Sequence, residues 1–262
     1  MKLSKVLFGA AFATLVAVPT VQAQTITINP LTPTFLNDSP DNAVMLDNSP
    51  ASDIRVCWPG GTGSTNDTGN CDNLTAWNGT QSGYRFQRVS TPLNVNLSSG
   101  SALFKLGDFT HYNRPITATS LLSVDLKIDM TIAGASPSVY SETFTINHDE
   151  TDNDPENWFC QNIPCPYAGS TTRCDDYVSF GTGGGSSSFS YLGVTYAIDL
   201  IGFSQDNGVT VTSGFLSPEN GTNTAAMYAR ITRTSVPEPS TYALMSAGLL
   251  GIFAAARRRR QA

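Results

Sequence analysis

The unbroken alternation at residues 122–132 limits what this chain can fold into more than any other feature. Leu122, Val124, Leu126, Ile128, Met130 and Ile132 are apolar, and the residues between them, Ser123, Asp125, Lys127, Asp129 and Thr131, are polar. Successive side chains of a strand point to opposite faces, so this period of two puts every apolar group on one face. One face is buried and the other wet, as in an antiparallel sandwich sheet. Tyr140, Phe144 and Ile146 predict the next strand, with Glu142 facing inward or sitting at an edge.

The C-terminal part reads as a meander. Residues 191–203 carry Val194, Tyr196, Ile198 and Leu200 at period two. Asp206-Asn207-Gly208 is a tight-turn signal. Val209 and Val211 open a strand that runs to Phe215, Asn220-Gly221 turns again, and Met227 to Thr232 closes the domain. Residues 24–48 are rich in Pro and Asn and read as a long loop with an extended start. Residues 57–83 and 181–188 read as long loops. Short strands joined by Gly/Asn turns predict an all-β fold, an antiparallel two-sheet β-sandwich of jelly-roll or Ig-like type, with little helix.

Both ends read as processing segments. Lys2 and Lys5 precede the apolar run Val6–Val18, and Val21-Gln22-Ala23 is a small-x-small cleavage signal, so residues 1–23 read as a secretory signal peptide handled by the Sec export machinery. At the other end, Val236-Pro237-Glu238-Pro239-Ser240 precedes an apolar run, Tyr242 to Ala256, and then Arg257-Arg258-Arg259-Arg260. The run is slightly short for a free membrane span, which needs roughly 17–25 residues, though Pro239, Ser240 and Thr241 extend it. Arginines on one flank hold that flank in the cytoplasm. The two prolines predict an extended strip, Val236–Ser240, just outside the membrane.

This tripartite tail resembles the PEP-CTERM sorting signal of Gram-negative bacteria. The resemblance implies recognition by an exosortase, transient anchoring in the inner membrane through the C-terminal helix, and export to the cell surface or extracellular matrix. Residues 24–235 then form the mature β-sandwich domain, and 236–262 the sorting signal. Loss of Lys2, Lys5, Glu238 and the four arginines from 15 basic and 21 acidic residues leaves 9 against 20, a net charge near −11. A domain this acidic repels nucleic acid and anionic lipid and suits cation binding.

Two internal strings carry a second resemblance. Thr110-His111-Tyr112-Asn113 precedes the regular strand, and Asn147-His148-Asp149-Glu150-Thr151 follows the next one; Cys174-Asp175-Asp176-Tyr177-Val178 continues the pattern. These resemble the motifs of the THxN branch of PEP-CTERM proteins, whose globular region looks like the choice-of-anchor domains. Asp152 stands where that group often has Pro. The resemblance implies a location and a fold rather than a reaction.

His111 and His148 are the two histidines of the chain, and each lies inside a motif. They have two readings: a shared site with Asp149, Glu150 or Asp108, or side chains that tie loop backbone where no ladder bond is available. The run 148–157 is dense in oxygen ligands. Asp149, Glu150, Asp152 and Asp154 are candidate Ca²⁺ ligands, although the spacing is not that of an EF-hand. No other cofactor is expected. The chain has five cysteines. In an exported protein, Cys57 and Cys71 can close the Gly/Thr/Asn loop between them as a disulfide, while the pairing of Cys160, Cys165 and Cys174 stays open. No Gly-x-Ser-x-Gly elbow is present, and nothing in the sequence selects a pair of glycosidase carboxylates. Trp58, Trp77 and Trp158 lie in loop-like regions and can either stack on sugars or fill the core. The expected role is therefore a non-catalytic surface or matrix protein associated with exopolysaccharide and biofilm. A carbohydrate-binding module and a secreted hydrolase are the alternatives.

Overall fold

A computed structural model describes residues 24–40, 44–58, 71, 74, 81–114, 120–151, 175–181, 187–234 and 239–259. The expected signal peptide, Asp152, Asp154, Trp77, Trp158, Cys160, Cys165, Cys174, Val236, Pro237, Glu238 and Arg260 lie outside the described residues. Within them run β1 (Thr25–Ser39), β2 (Met45–Asp47), β3 (Asp53–Trp58), β4 (Ser82–Arg88), β5 (Leu93–Asn96), β6 (Ser101–Tyr112), β7 (Ser123–Ile132), β8 (Ala135–Ser136), β9 (Val139–Asp149), β10 (Asp176–Phe180), β11 (Ser187–Tyr191), β12 (Val194–Ser204), β13 (Gly214–Ser217), β14 (Thr222–Arg233) and one helix, α1 (Pro239–Arg259). The strands form two antiparallel sheets. One has the order β13-β10-β9-β7-β1-β5, the other β2-β3-β4-β6-β14-β12-β11-β8. Their inner faces share one core, so the fold is the expected two-sheet sandwich.

The alternation in β7 does what its period requires. Val124, Leu126, Ile128, Met130 and Ile132 are buried, and the polar residues between them are not. Leu122 departs from the pattern. It is 59% exposed, and Leu121 occupies the core instead. The chain is not yet in strand conformation at 122, so the alternation holds only from Ser123 onward. In β9 the inward row is Tyr140, Glu142, Phe144, Ile146 and His148. Glu142 faces in and is paired: Tyr140 donates to its Oε2 at 2.9 Å, and the Ser187 hydroxyl lies 3.2 Å from the same oxygen. Across the sandwich Phe180 and Phe203 stack with ring centroids 4.1 Å apart.

Three expectations are corrected. The extended start is in fact β1, a long strand that pairs with both β5 and β7. Its prolines hid it, and Pro30 is accommodated in the register shift between Ile28 and Leu31, where no ladder bond is demanded of it. Residues 191–203 are not one strand. Leu192 and Gly193, both at positive φ, turn β11 into β12. Val209 lies outside any strand and is 86% exposed; the next strand is the short β13. The Asn207-Gly208 turn forms as expected, both residues having positive φ. Gly107 marks a bulge in β6 opposite Met227 and Tyr228. A Cβ there would meet Gln87 O and the Phe86 ring at 2.6 Å. The bulge shifts the inward row from Phe104 and Leu106 to Phe109, His111 and Asn113.

The tail is helical, and Pro239, Ser240 and Thr241 extend the apolar run as expected. Pro239 is the first residue of α1, a position where its missing N–H is not needed. Pro239 and Ser240 of the expected Val236–Ser240 strip are therefore helical rather than extended. Among the described residues no helix is long and apolar enough to cross a membrane. The expected transmembrane span is corrected to that extent: Ser246, Gly248 and Gly251 dilute the apolar run, and Arg257 ends it.

Cys57 and Cys71 form the expected disulfide, 14 residues apart in sequence. With Leu74 they make a small buried cluster against Met45 and Tyr112. Nearby, Arg55 and Arg85 stand directly opposite each other on β3 and β4. Asp53 bridges them, bonding Arg85 at 2.6 and 2.7 Å and lying 3.5 Å from Arg55. Closing a loop of this size stabilises by roughly 3 kcal/mol in the chain-entropy model. The double variant Cys57→Ala/Cys71→Ala should therefore lose about that much in urea unfolding, and the wild type should lose a similar amount on reduction.

Candidate functional site

The inward rows of the two sheets meet at one end of the sandwich in polar rather than apolar groups. Tyr84 on β4 and His111 on β6 are register partners. From the other sheet come His148, near the end of β9, and Asp176, the first residue of β10. His148 continues the period-two row of Phe144 and Ile146, and His111 that of Phe109, so each is turned inward by the same alternation that builds the core. All four residues are buried.

The rings pack tightly. His111 and His148 have centroids 5.1 Å apart, Tyr84 and His111 4.9 Å, and Trp58 and His148 5.1 Å. Trp58 stacks on His111 at 6.1 Å and 30°. His148 is held at both nitrogens, by the Tyr84 hydroxyl at 2.6 Å from Nδ1 and by Glu150 Oε2 at 2.8 Å from Nε2. His111 has neither nitrogen in a hydrogen bond among the described residues. Asp176 Oδ1 accepts from the Thr151 backbone N–H at 2.9 Å and lies 3.1 Å from its hydroxyl, whereas Oδ2 has no hydrogen-bond partner among the described residues.

Electrostatics follow from burial. Removal from water, with His148 a lesser cause, holds the His111 imidazole well below its ordinary pKa and keeps it neutral. Burial, and then the charge of Glu150, pushes the Asp176 carboxyl up to about 8, against His148 and the Thr151 N–H, which act the other way. Burial, with Asp176 and Glu150, also raises the Tyr84 hydroxyl well above its ordinary value. A nitrogen of each histidine and an oxygen of Asp176 lie within 4.8 Å of one another, and carboxylate oxygens of Glu150, Asp176 and Glu219 satisfy the same limit among themselves. The arrangement offers converging lone pairs rather than a nucleophile.

The sequence-predicted residues divide. His111, His148 and Glu150 come together. Asp108 instead pairs with Lys105 at 2.6 Å, and Asp149 lies exposed on the outer side of β9. Asn113 fits the backbone-tying reading, since its Nδ2 donates to Ser217 O at 3.0 Å and its own N–H to Gly221 O. Thr110 pairs with Thr224 across the sheet at 2.9 Å. Asn147 pairs in the ladder between Ser123 and Ser179, and Thr151 anchors Asp176. Of the two readings of Trp58, sugar-stacking face or core, the structure has the core: the ring is fully buried and walls the site. Sequence reasoning gave no role to Tyr84, Asp176 or Glu219. Asp176 lay inside a quoted string but carried no periodic signal of its own, and the other two are brought in only by tertiary pairing.

Comparison with protein families matches residues 235–260 to the PEP-CTERM protein-sorting motif. The chain therefore carries the C-terminal sorting signal of an exported, exosortase-targeted protein. A comparison with curated proteins finds no match.

Tyr84→Phe removes the partner of His148 Nδ1 without changing the ring packing. A buried polar atom left unpaired costs about 1–3 kcal/mol. The variant should unfold at correspondingly lower urea concentration while keeping its far-UV spectrum.

Proposed function

We propose that the domain of residues 24–235 is an extracellular binding module of the THxN type, delivered by exosortase to the surface or matrix and there associated with exopolysaccharide. The observation that carries the reading is an open cleft of about 560 Å³ lined by Tyr177, Gln205, Asp206, Thr210, Thr212 and their neighbours. An aromatic ring beside amides, hydroxyls and a carboxylate is the donor set that sugars use. Tyr177 packs over Gly214, where a side chain would collide with its ring. Asp206 is held ionised below its ordinary range, chiefly by the Thr210 N–H and then by Ser204. A fixed carboxylate suits sugar hydroxyls or a divalent cation bridging to an acidic glycan. The net charge near −11 of the processed domain supports the same bridging. Binding rather than turnover is favoured because Asp176, the carboxyl most altered by its surroundings, is fully buried and away from a polymer's reach.

Two measurements test this. The protein recovered from an exosortase-competent host should have an intact mass that begins near Gln24 and lacks Arg257–Arg260; a mass retaining the arginines counts against processing. Retention on the host's exopolysaccharide should drop about tenfold in Tyr177→Ala, on the scale of one lost aromatic contact. Steady hydrolysis of that polysaccharide would favour the secreted-hydrolase alternative.

A further inference from the structure

We propose that His111, His148 and Asp176 form a binding site for one divalent transition-metal cation of the Zn²⁺ class, with Glu150 and Glu219 at its acidic margin. Four observations converge, and none involves the polysaccharide cleft. Donor atoms of His111, His148 and Asp176 approach within 4.8 Å of one another although they come from both sheets. Two imidazoles and a carboxylate are a recurrent protein set for Zn²⁺ and related ions.

His111 supplies the second observation. Its ring is fully buried, and both nitrogens are without hydrogen bonds among the described residues. A neutral imidazole has one donor and one acceptor, and buried polar atoms are rarely left unmatched. A lone pair within 4.8 Å of His148 and Asp176 donor atoms is explained by a cation between them. The third is the carboxylate trio, whose oxygens also lie within 4.8 Å of one another. Three acids at that spacing repel unless a cation or protons intervene.

The fourth is the support around the donors. Tyr84 fixes Nδ1 of His148, the outer contact that orients a metal-bound imidazole. Thr151 fixes Oδ1 of Asp176 and leaves Oδ2 to ligate. The bond between His148 Nε2 and Glu150 is the one that a cation would replace, the shared proton passing to solvent. Imidazole donors select Zn²⁺-like ions over Ca²⁺, which takes oxygen ligands. This separates the site from the oxygen-rich run at 149–154.

The test uses the purified full-length chain, first for bound metal by elemental analysis, then stripped with chelator and titrated with Zn²⁺, Co²⁺ and Ca²⁺ by calorimetry and thermal unfolding. The expected result is one Zn²⁺ or Co²⁺ per chain, a visible Co²⁺ band in the range given by nitrogen and oxygen ligands, and a raised Tm. His111→Leu should weaken Zn²⁺ binding more than about 100-fold, beyond the 10–100-fold typical of an outer-contact change. Asp176→Asn, nearly isosteric, should do the same and carries the test if His111→Leu does not fold. Asp149→Asn should bind Zn²⁺ as the wild type does. Zn²⁺ affinity unchanged in a folded Asp176→Asn or His111→Leu variant overturns the proposal. So does Ca²⁺ binding in preference to Zn²⁺ that Asp149→Asn abolishes, because the acidic run would then be the site.

Discussion

The contact between the inner faces of the two sheets is the constraint on which the rest of this protein depends. Neither sheet buries its apolar row without the other, because a strand with period-two patterning leaves half its side chains to be covered by a second layer. The contact is apolar along most of its length, through residues such as Leu126, Ile128, Phe109 and Ile198. Phe180 on Phe203 and the Tyr140 hydroxyl near Ile198 O tie one sheet to the other. At one end the same inward geometry delivers polar groups, and there the sheets are joined by the Tyr84–His148 hydrogen bond. The site is thus part of the core rather than an addition to it.

That placement explains its electrostatics. A histidine in a surface loop would keep its ordinary pKa. His111 does not, because Trp58, Tyr84 and His148 replace water around it. Asp176 is shifted in the opposite direction for the same reason, since burial disfavours whichever form is charged. Burial thus favours the uncharged form of both groups.

The sequence made the central strands legible because β7 and β9 are strictly periodic, and β9 even announces the inward direction of His148 two positions after Ile146. The Asn207-Gly208 turn and the Cys57–Cys71 bridge were likewise readable, each from local chemistry. What escaped was non-local or masked. The prolines of β1 obscured a long strand, since its bulge is visible only against β7. The Gly107 bulge changes which residues of β6 face in, and a lone glycine is a weak mark of it that does not give the direction of the shift. Tyr84 and Asp176 reach the histidines by pairing between strands far apart in sequence, a relation that periodicity does not encode.

Trp58 follows directly on Cys57, so the wall of the site is attached to the disulfide. Such a bridge persists only in an oxidising compartment. Before export, the end of β3 lacks its tether and the tryptophan lacks a fixed seat over His111. After export, oxidation fixes both in one step. Completion of the buried cluster is thereby linked to crossing the membrane. In the reducing cytoplasm the two cysteines stay as thiols, so the tether beside Trp58 closes only after export.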